Sequence, residues 1–183
     1  MIKTILAIDG GGVRGIMETV ILREIENRLR KKTNVKVNLA QYFNVISGAS
    51  TGGIISAIIS LKDKDGNYKY DCNDAYNFYK DHCYEIFNKS KRLFGSFTYK
   101  YCEKALEKYL NKYFGDSELK DLKNHVIIPT VDLNTCKAYF FSNIKANNER
   151  TDYKIKDVLR CTSAAPTYFK PKQINDVVGI DGG

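Results

Sequence analysis

Asn44-Val45-Ile46-Ser47-Gly48-Ala49-Ser50-Thr51-Gly52-Gly53-Ile54-Ile55 is the stretch that decides the reading of this chain. A β-branched run leads into Gly-x-Ser-x-Gly, and an apolar helical pattern follows at once. That is the sequence form of a nucleophile elbow: strand, one sharp turn with a serine at its tip, then helix. Gly48 and Gly52 stand two residues either side of Ser50, where a Cβ would obstruct the approach of strand and helix. The helix beginning near Thr51 aims its free N–H groups and positive dipole end at the serine, a field that suits a developing anion.

Outward from the elbow, the pattern is one of strands alternating with helices. Ile2–Ile8 reads as a short strand, running into Asp9-Gly10-Gly11-Gly12-Val13-Arg14-Gly15. Met17, Val20, Ile21, Ile25 and Leu29 then recur at helical spacing, which predicts an amphipathic helix over about 15–31. Tyr42–Ser47 is the second strand and 51–61 a second helix, buried on most sides. A third helix carries Ala75, Phe78, Tyr79, His82, Cys83, Ile86 and Phe87, with Asn73 or Asp74 as its cap, and a fourth spans about 99–113. Between them, 91–97 is basic and aromatic. Residues 126–133 and 138–142 read as strands joined by a turn at Asn134-Thr135. A helix over 153–165 stops before Pro166, and a last strand, 177–180, ends in Asp181-Gly182-Gly183. The alternation predicts an α/β architecture with a mostly parallel sheet, whose carboxyl edge would gather Asp9, Ser50 and Asp181.

Composition sets the frame. With 183 residues, 43% hydrophobic and 27% charged, the chain suits one domain with a real core. The net charge of +8 favours anionic partners without specifying one. No aromatic–basic interleaving of an RNA-binding kind is visible, so nucleic acid is not expected. Five cysteines (72, 83, 102, 136, 161) without C-x-x-C spacing predict reduced thiols in the cytoplasm or another reducing compartment, and no metal site. No apolar run approaches a membrane span, so the chain is expected to be soluble and to touch membranes only from outside.

A serine hydroxyl needs a base within reach and donors for the oxyanion. Consecutive backbone N–H groups of Gly10, Gly11 and Gly12 are a natural donor set. Of the two histidines, His82 lies on an apolar helical stripe and His125 opens a strand at the wrong end, so a Ser-His-Asp triad is disfavoured. Asp181 is the stronger base, and the alternative for it is a plain Asp-Gly turn. Ser163, in a run of small residues, reads as packing.

Asp9-Gly-Gly-Gly-Val-Arg-Gly15, Gly48-Ala-Ser-Thr-Gly52, Thr162-Ser-Ala-Ala-Pro-Thr-Tyr-Phe169 and Asp181-Gly-Gly183 stand in the order and spacing of the patatin-like phospholipases. The resemblance covers essentially the whole chain. It implies a three-layer α/β/α sandwich, a single domain over 1–183, and a lipid acyl hydrolase of phospholipase A type working without metal or cofactor. By motif, Ser50 resembles the nucleophile, Asp181 the proton acceptor and Gly10–Gly12 the oxyanion loop, with Gly48 and Gly52 shaping the elbow. Arg14 and Gly15 resemble supports for that loop or for substrate, Arg14 fixing the loop or meeting lipid phosphate. Lipid substrate and peripheral membrane contact follow from the same resemblance. Family members continue beyond the Asp-Gly-Gly motif, so the chain is expected to be truncated at its C-terminal end.

Two other classes compete. Gly10-x-Gly12-x-x-Gly15 between strand and helix satisfies the dinucleotide-binding fingerprint, but the second strand ends in Gly-Ala-Ser-Thr-Gly and not in an acidic residue. A non-catalytic module binding anionic lipid or protein would use the +8 charge and leave Ser50 idle.

Overall fold

In a computed structural model, the structure describes residues 3–88, 99–144 and 152–183. The basic–aromatic segment 91–97 lies outside the described residues. Strand β1 (Ile5–Ile8) pairs in parallel with β2 (Val45–Gly48), and β2 in parallel with β3 (His125–Asp132). Strand β4 (Lys137–Ser142) runs antiparallel to β3, and β6 (Val177–Ile180) runs antiparallel to both β3 and β5 (Lys172–Ile174). The sheet is mixed and mostly parallel: four of its six strands, β1, β2, β3 and β5, share one direction.

Helix α1 (Gly15–Thr33) follows the glycine loop, α2 (Thr51–Ser60) follows the elbow, and α3 (Cys72–Ile86), α4 (Glu103–Phe114) and α5 (Ile155–Thr162) complete the set. α2 lies on β1, β2 and β3, while α5 lies on β3, β5 and β6. Both meet the face that carries Ile128 and Thr130, since a Cβ at Gly53 would touch Ile128 and one at Gly179 would touch both Cys161 and Thr130. α1, α3 and α4 stack outside them. The architecture is α/β as expected, a mixed, mostly parallel sheet with helices packed about it.

All ten residues of α2 are buried, and Ile55, Ile58 and Ile59 are completely so. Each such isoleucine contributes about 1.5–3 kcal/mol of hydrophobic transfer. At the start of α3 the cap is Asp71, neither Asn73 nor Asp74: its carboxylate accepts from the Asn73 and Asp74 amides, and Asp74 reaches back to the Asp71 amide at 2.9 Å. Strand β5 was not legible in Lys172-Gln173-Ile174, which has neither length nor alternation, although Asn175-Asp176 after it is a turn signal and Asn175 takes φ 49°.

The first helix corrects the sequence expectation. Its inward face is Gly15, Thr19, Leu22 and Glu26, whereas Met17, Val20, Ile21 and Ile25 face outward. Periodicity establishes a helix but not which side is covered. Here close approach decides: a Cβ at Gly15 would sit 1.9 Å from Thr51 Cγ2, so only a small-residue face can lie against the start of α2. Buried Glu26 is satisfied by the Leu39 amide at 2.7 Å and by Arg30 at 2.7 Å. No helix among the described residues is long and apolar enough to cross a membrane.

Candidate active site

Ser50 takes φ 52° and ψ −120°, a left-handed conformation that costs a non-glycine residue about 1–3 kcal/mol. The surroundings over-determine it. A Cβ on Gly48 would fall 2.3 Å from the Gly52 carbonyl carbon, and one on Gly52 would fall 2.1 Å from the Ile8 carbonyl oxygen. Strand and helix therefore close to a distance only glycine permits, and the turn between them has no room to relax. The Ser50 amide donates to Thr162 Oγ1 at 2.9 Å, and Thr162 Oγ1 donates to the Pro129 carbonyl at 2.6 Å. This clamp was missed in the sequence, where Thr162 is one letter of a longer motif. Pro129 is the signal that could have found it. A proline inside an apolar strand marks a position where no neighbour needs an N–H.

That position is a gap in the sheet. Ile127 pairs with Ser47 of β2 on one side and Ser142 of β4 on the other, while Val131 and Asp132 pair with β4 and β6. β2 and β6 thus share one edge of β3, end to end, and run toward each other. The expected parallel carboxyl edge is corrected on this point: Asp181 reaches the site because β6 runs the opposite way. The Asp181 amide donates to the Ala164 carbonyl at 3.1 Å, and its carboxylate accepts from the Gly183 amide at 2.9 Å. Burial raises the Asp181 pKa above its ordinary value, and the Gly183 amide, the Ser50 hydroxyl and the Gly182 amide, as hydrogen-bond donors, pull part of that shift back.

The glycine loop lies directly over the elbow. A Cβ on Gly10 would come within 3.3 Å of Ser50 Cβ. Gly11 caps and Gly12 opens a 3-10 turn over Gly12–Arg14, so their N–H groups have no carbonyl of that turn to bond. Gly12, at φ 58°, gives its carbonyl to Thr51 Oγ1 at 2.8 Å, and the Gly11 carbonyl accepts from the Arg14 amide at 3.2 Å and from Nε at 3.4 Å. Arg14 thus hydrogen-bonds the loop it follows, and Gly15 packs closely against Thr51.

Ser50, Asp181, Gly10–Gly12 and Arg14 line one cavity of about 780 Å³. Much of the rest is apolar, with Ile54, Phe78, Ile86, Phe87, Leu106 and Phe169, beside Asp9, Lys100, Tyr79, Tyr101 and Tyr168. Neither histidine lines it. His82 stacks on Tyr109 at 3.8 Å, and His125 Nε2 lies 3.0 Å from Ser142 Oγ. Buried Ser163 borders the cavity, its hydroxyl without a partner among the described residues. No cluster of His, Cys, Asp or Glu among the described residues could hold a metal ion.

The family model for patatin-like phospholipases matches residues 6–183. The chain belongs to that family. Patatin-like protein 2 of Arabidopsis thaliana is 35% identical over 98% of this chain and 49% of its own length. Patatin-17 of Solanum cardiophyllum is 37% identical over 92% of this chain and 43% of its own. The chain thus spans a little under half the length of these patatin relatives. The crystal structure of VipD from Legionella pneumophila aligns with 99% of the chain and 46% of that chain, at 13% identity and a TM-score of 0.46. Membership places the glycine loop in a phospholipase-like chain, and the dinucleotide reading lapses: β2 of this patatin-like fold ends in the elbow, with no carboxylate to receive a ribose.

Proposed function

We propose that this patatin-like chain is a lipid acyl hydrolase of phospholipase A type, acting through Ser50 and Asp181. The observation that carries the reading is the strained Ser50 held beside both Asp181 and the Gly10–Gly12 amides at one end of an apolar cavity. Ser50 Oγ attacks the ester carbonyl carbon as its proton passes to the Asp181 carboxylate. The Gly10–Gly12 N–H groups and the α2 N-terminus stabilise the oxyanion. Collapse expels the alcohol, which takes the proton from Asp181 and leaves an acyl-enzyme. Water then gives a proton to Asp181 and attacks the acyl carbon, and the second collapse releases fatty acid and returns the proton to Ser50.

The raised pKa of Asp181 suits this role, because a stronger base takes the serine proton more readily. The apolar wall from Ile54 to Phe169 suits an acyl chain. Five free cysteines fit work in a reducing compartment. A fluorophosphonate probe followed by peptide mapping tests the nucleophile. Label on Ser50 together with ester hydrolysis that disappears in Ser50→Ala is the expected result; label elsewhere, or hydrolysis that survives, overturns it.

A further inference from the structure

The outward side of α1 is built unlike a solvated helix face. Val13, just before the helix, and Met17, Ile21 and Ile25 repeat every four residues, so they form one row along it, with Val20 beside them. Met17 and Ile21 expose 64% and 59% of their surface, and Val13, Val20 and Ile25 between 42% and 48%. None of these is needed for the core, because Gly15, Thr19, Leu22 and Glu26 make the inward face. A continuous row of large apolar side chains in water is costly to keep and marks a surface that meets something.

Two observations say what it meets. The row starts at the catalytic cavity: Val13 and Arg14 line it together with Ser50, and the row leads about 18 Å away from there at the helical rise. Its charge is also polarised, with the bases gathered at the far end. Arg14 stands at the cavity end, and Arg28, Lys31 and Lys32 stand at the far end. Of the acids beside the row, Glu24 is taken by Arg28 at 2.8 Å, and half-buried Glu18, at the cavity end, lies in the field of Arg14. Among the described residues, Arg14, Lys31 and Lys32 have no carboxylate at ion-pair distance in the structure. An apolar row that runs from the cavity to a basic helix end fits the boundary between acyl chains and anionic headgroups.

We infer that the outward face of α1 docks this protein on an anionic lipid bilayer, with Met17, Ile21 and Ile25 entering the interface and Lys31 and Lys32 meeting headgroup charge. The inference rests on the lipid-hydrolase reading for its choice of occupant. Docking in this orientation brings the mouth of the cavity to the headgroup plane, so a lipid reaches Ser50 without first crossing water.

The test uses the Ser50→Ala protein, so that binding is measured without hydrolysis, on vesicles of phosphatidylcholine with and without phosphatidylserine. Ile21→Glu and Met17→Glu should each weaken partitioning on the order of tenfold, the loss expected for one large apolar side chain. Lys31→Glu with Lys32→Glu should abolish the preference for phosphatidylserine, and Ile21→Leu should bind like the parent. These positions are exposed, so melting temperatures should stay near the parent's. With Ser50 restored, Ile21→Glu should hydrolyse a water-soluble short-chain ester normally while losing activity on vesicles. If that ester is never hydrolysed but Ile21→Glu still loses vesicle binding, docking stands and the enzymatic reading falls. Unchanged vesicle binding in Ile21→Glu overturns the inference. So does a wild-type dimer that Ile21→Glu turns into a monomer with vesicle binding intact, since the row would then face a second copy.

Discussion

Ser50 and Asp181 follow two strands that lie end to end on the same edge of β3 and point at each other across Pro129. Their meeting depends on no histidine. Ser50→Ala and Asp181→Asn should each lower kcat/KM for an acyl ester by at least about 10³-fold, the scale of losing an essential nucleophile or base. His82→Ala and His125→Ala should keep the chemistry. A folded His125→Ala protein without activity would sink the dyad.

As the proposed base, Asp181 would also link activity to pH. Its pKa is raised in the folded chain, so the acid limb of kcat/KM should lie above the range of an ordinary aspartate, with activity lost as pH falls through it. The stability sign is opposite. A carboxyl group whose folded pKa exceeds its unfolded value binds its proton more tightly when folded, so ionising it destabilises the fold as pH rises. Asp181→Asn removes that cost and keeps the oxygen that accepts from Gly183. It should therefore be inactive yet at least as stable as the parent at pH 7, and the stability gap should close below the pKa of Asp181. Melting curves across pH check this; an Asn variant that melts markedly lower at pH 7 contradicts it.

Thr162 should act as a positioning residue. Thr162→Val keeps the shape but orphans the Ser50 amide and the Pro129 carbonyl, at a cost of about 1–3 kcal/mol for each buried group left unpaired. We expect a lower melting temperature and a fall in kcat with KM little changed. Thr162→Ser, which restores the hydroxyl, should recover most of both; a serine variant as slow as the valine would rule the clamp out.

The elbow glycines separate folding from catalysis. Gly52→Ala drives a Cβ to 2.1 Å from a backbone oxygen and should cost more than about 3 kcal/mol, enough to threaten folding. Gly10→Ala meets Ser50 Cβ at 3.3 Å, a tight contact far milder than that at Gly52, so it should fold with a somewhat lower melting temperature, place a methyl over the nucleophile and lower kcat roughly 10²-fold. Gly66, at φ 78° with nothing within 4 Å, should accept alanine at about 1 kcal/mol with activity unchanged. Thermal melts beside initial rates distinguish the three.

The sequence by itself determined the local features. Gly-x-Ser-x-Gly between an apolar strand and an apolar helix can form little but a tight turn, and the elbow stands where it was expected, with Ser50 at φ 52°. The glycine loop, the helices and the pairing of 126–133 with 138–142 were legible for the same reason: periodicity and turn chemistry are local. Tertiary structure decided the rest. Which face of α1 lies inward was set by contact with Thr51, a residue 36 positions after Gly15, and it left the apolar row outside. The direction of β6 was set by the edge of β3 left free beyond β2, and that direction brings Asp181 to Ser50. No local pattern records an edge supplied by a distant strand.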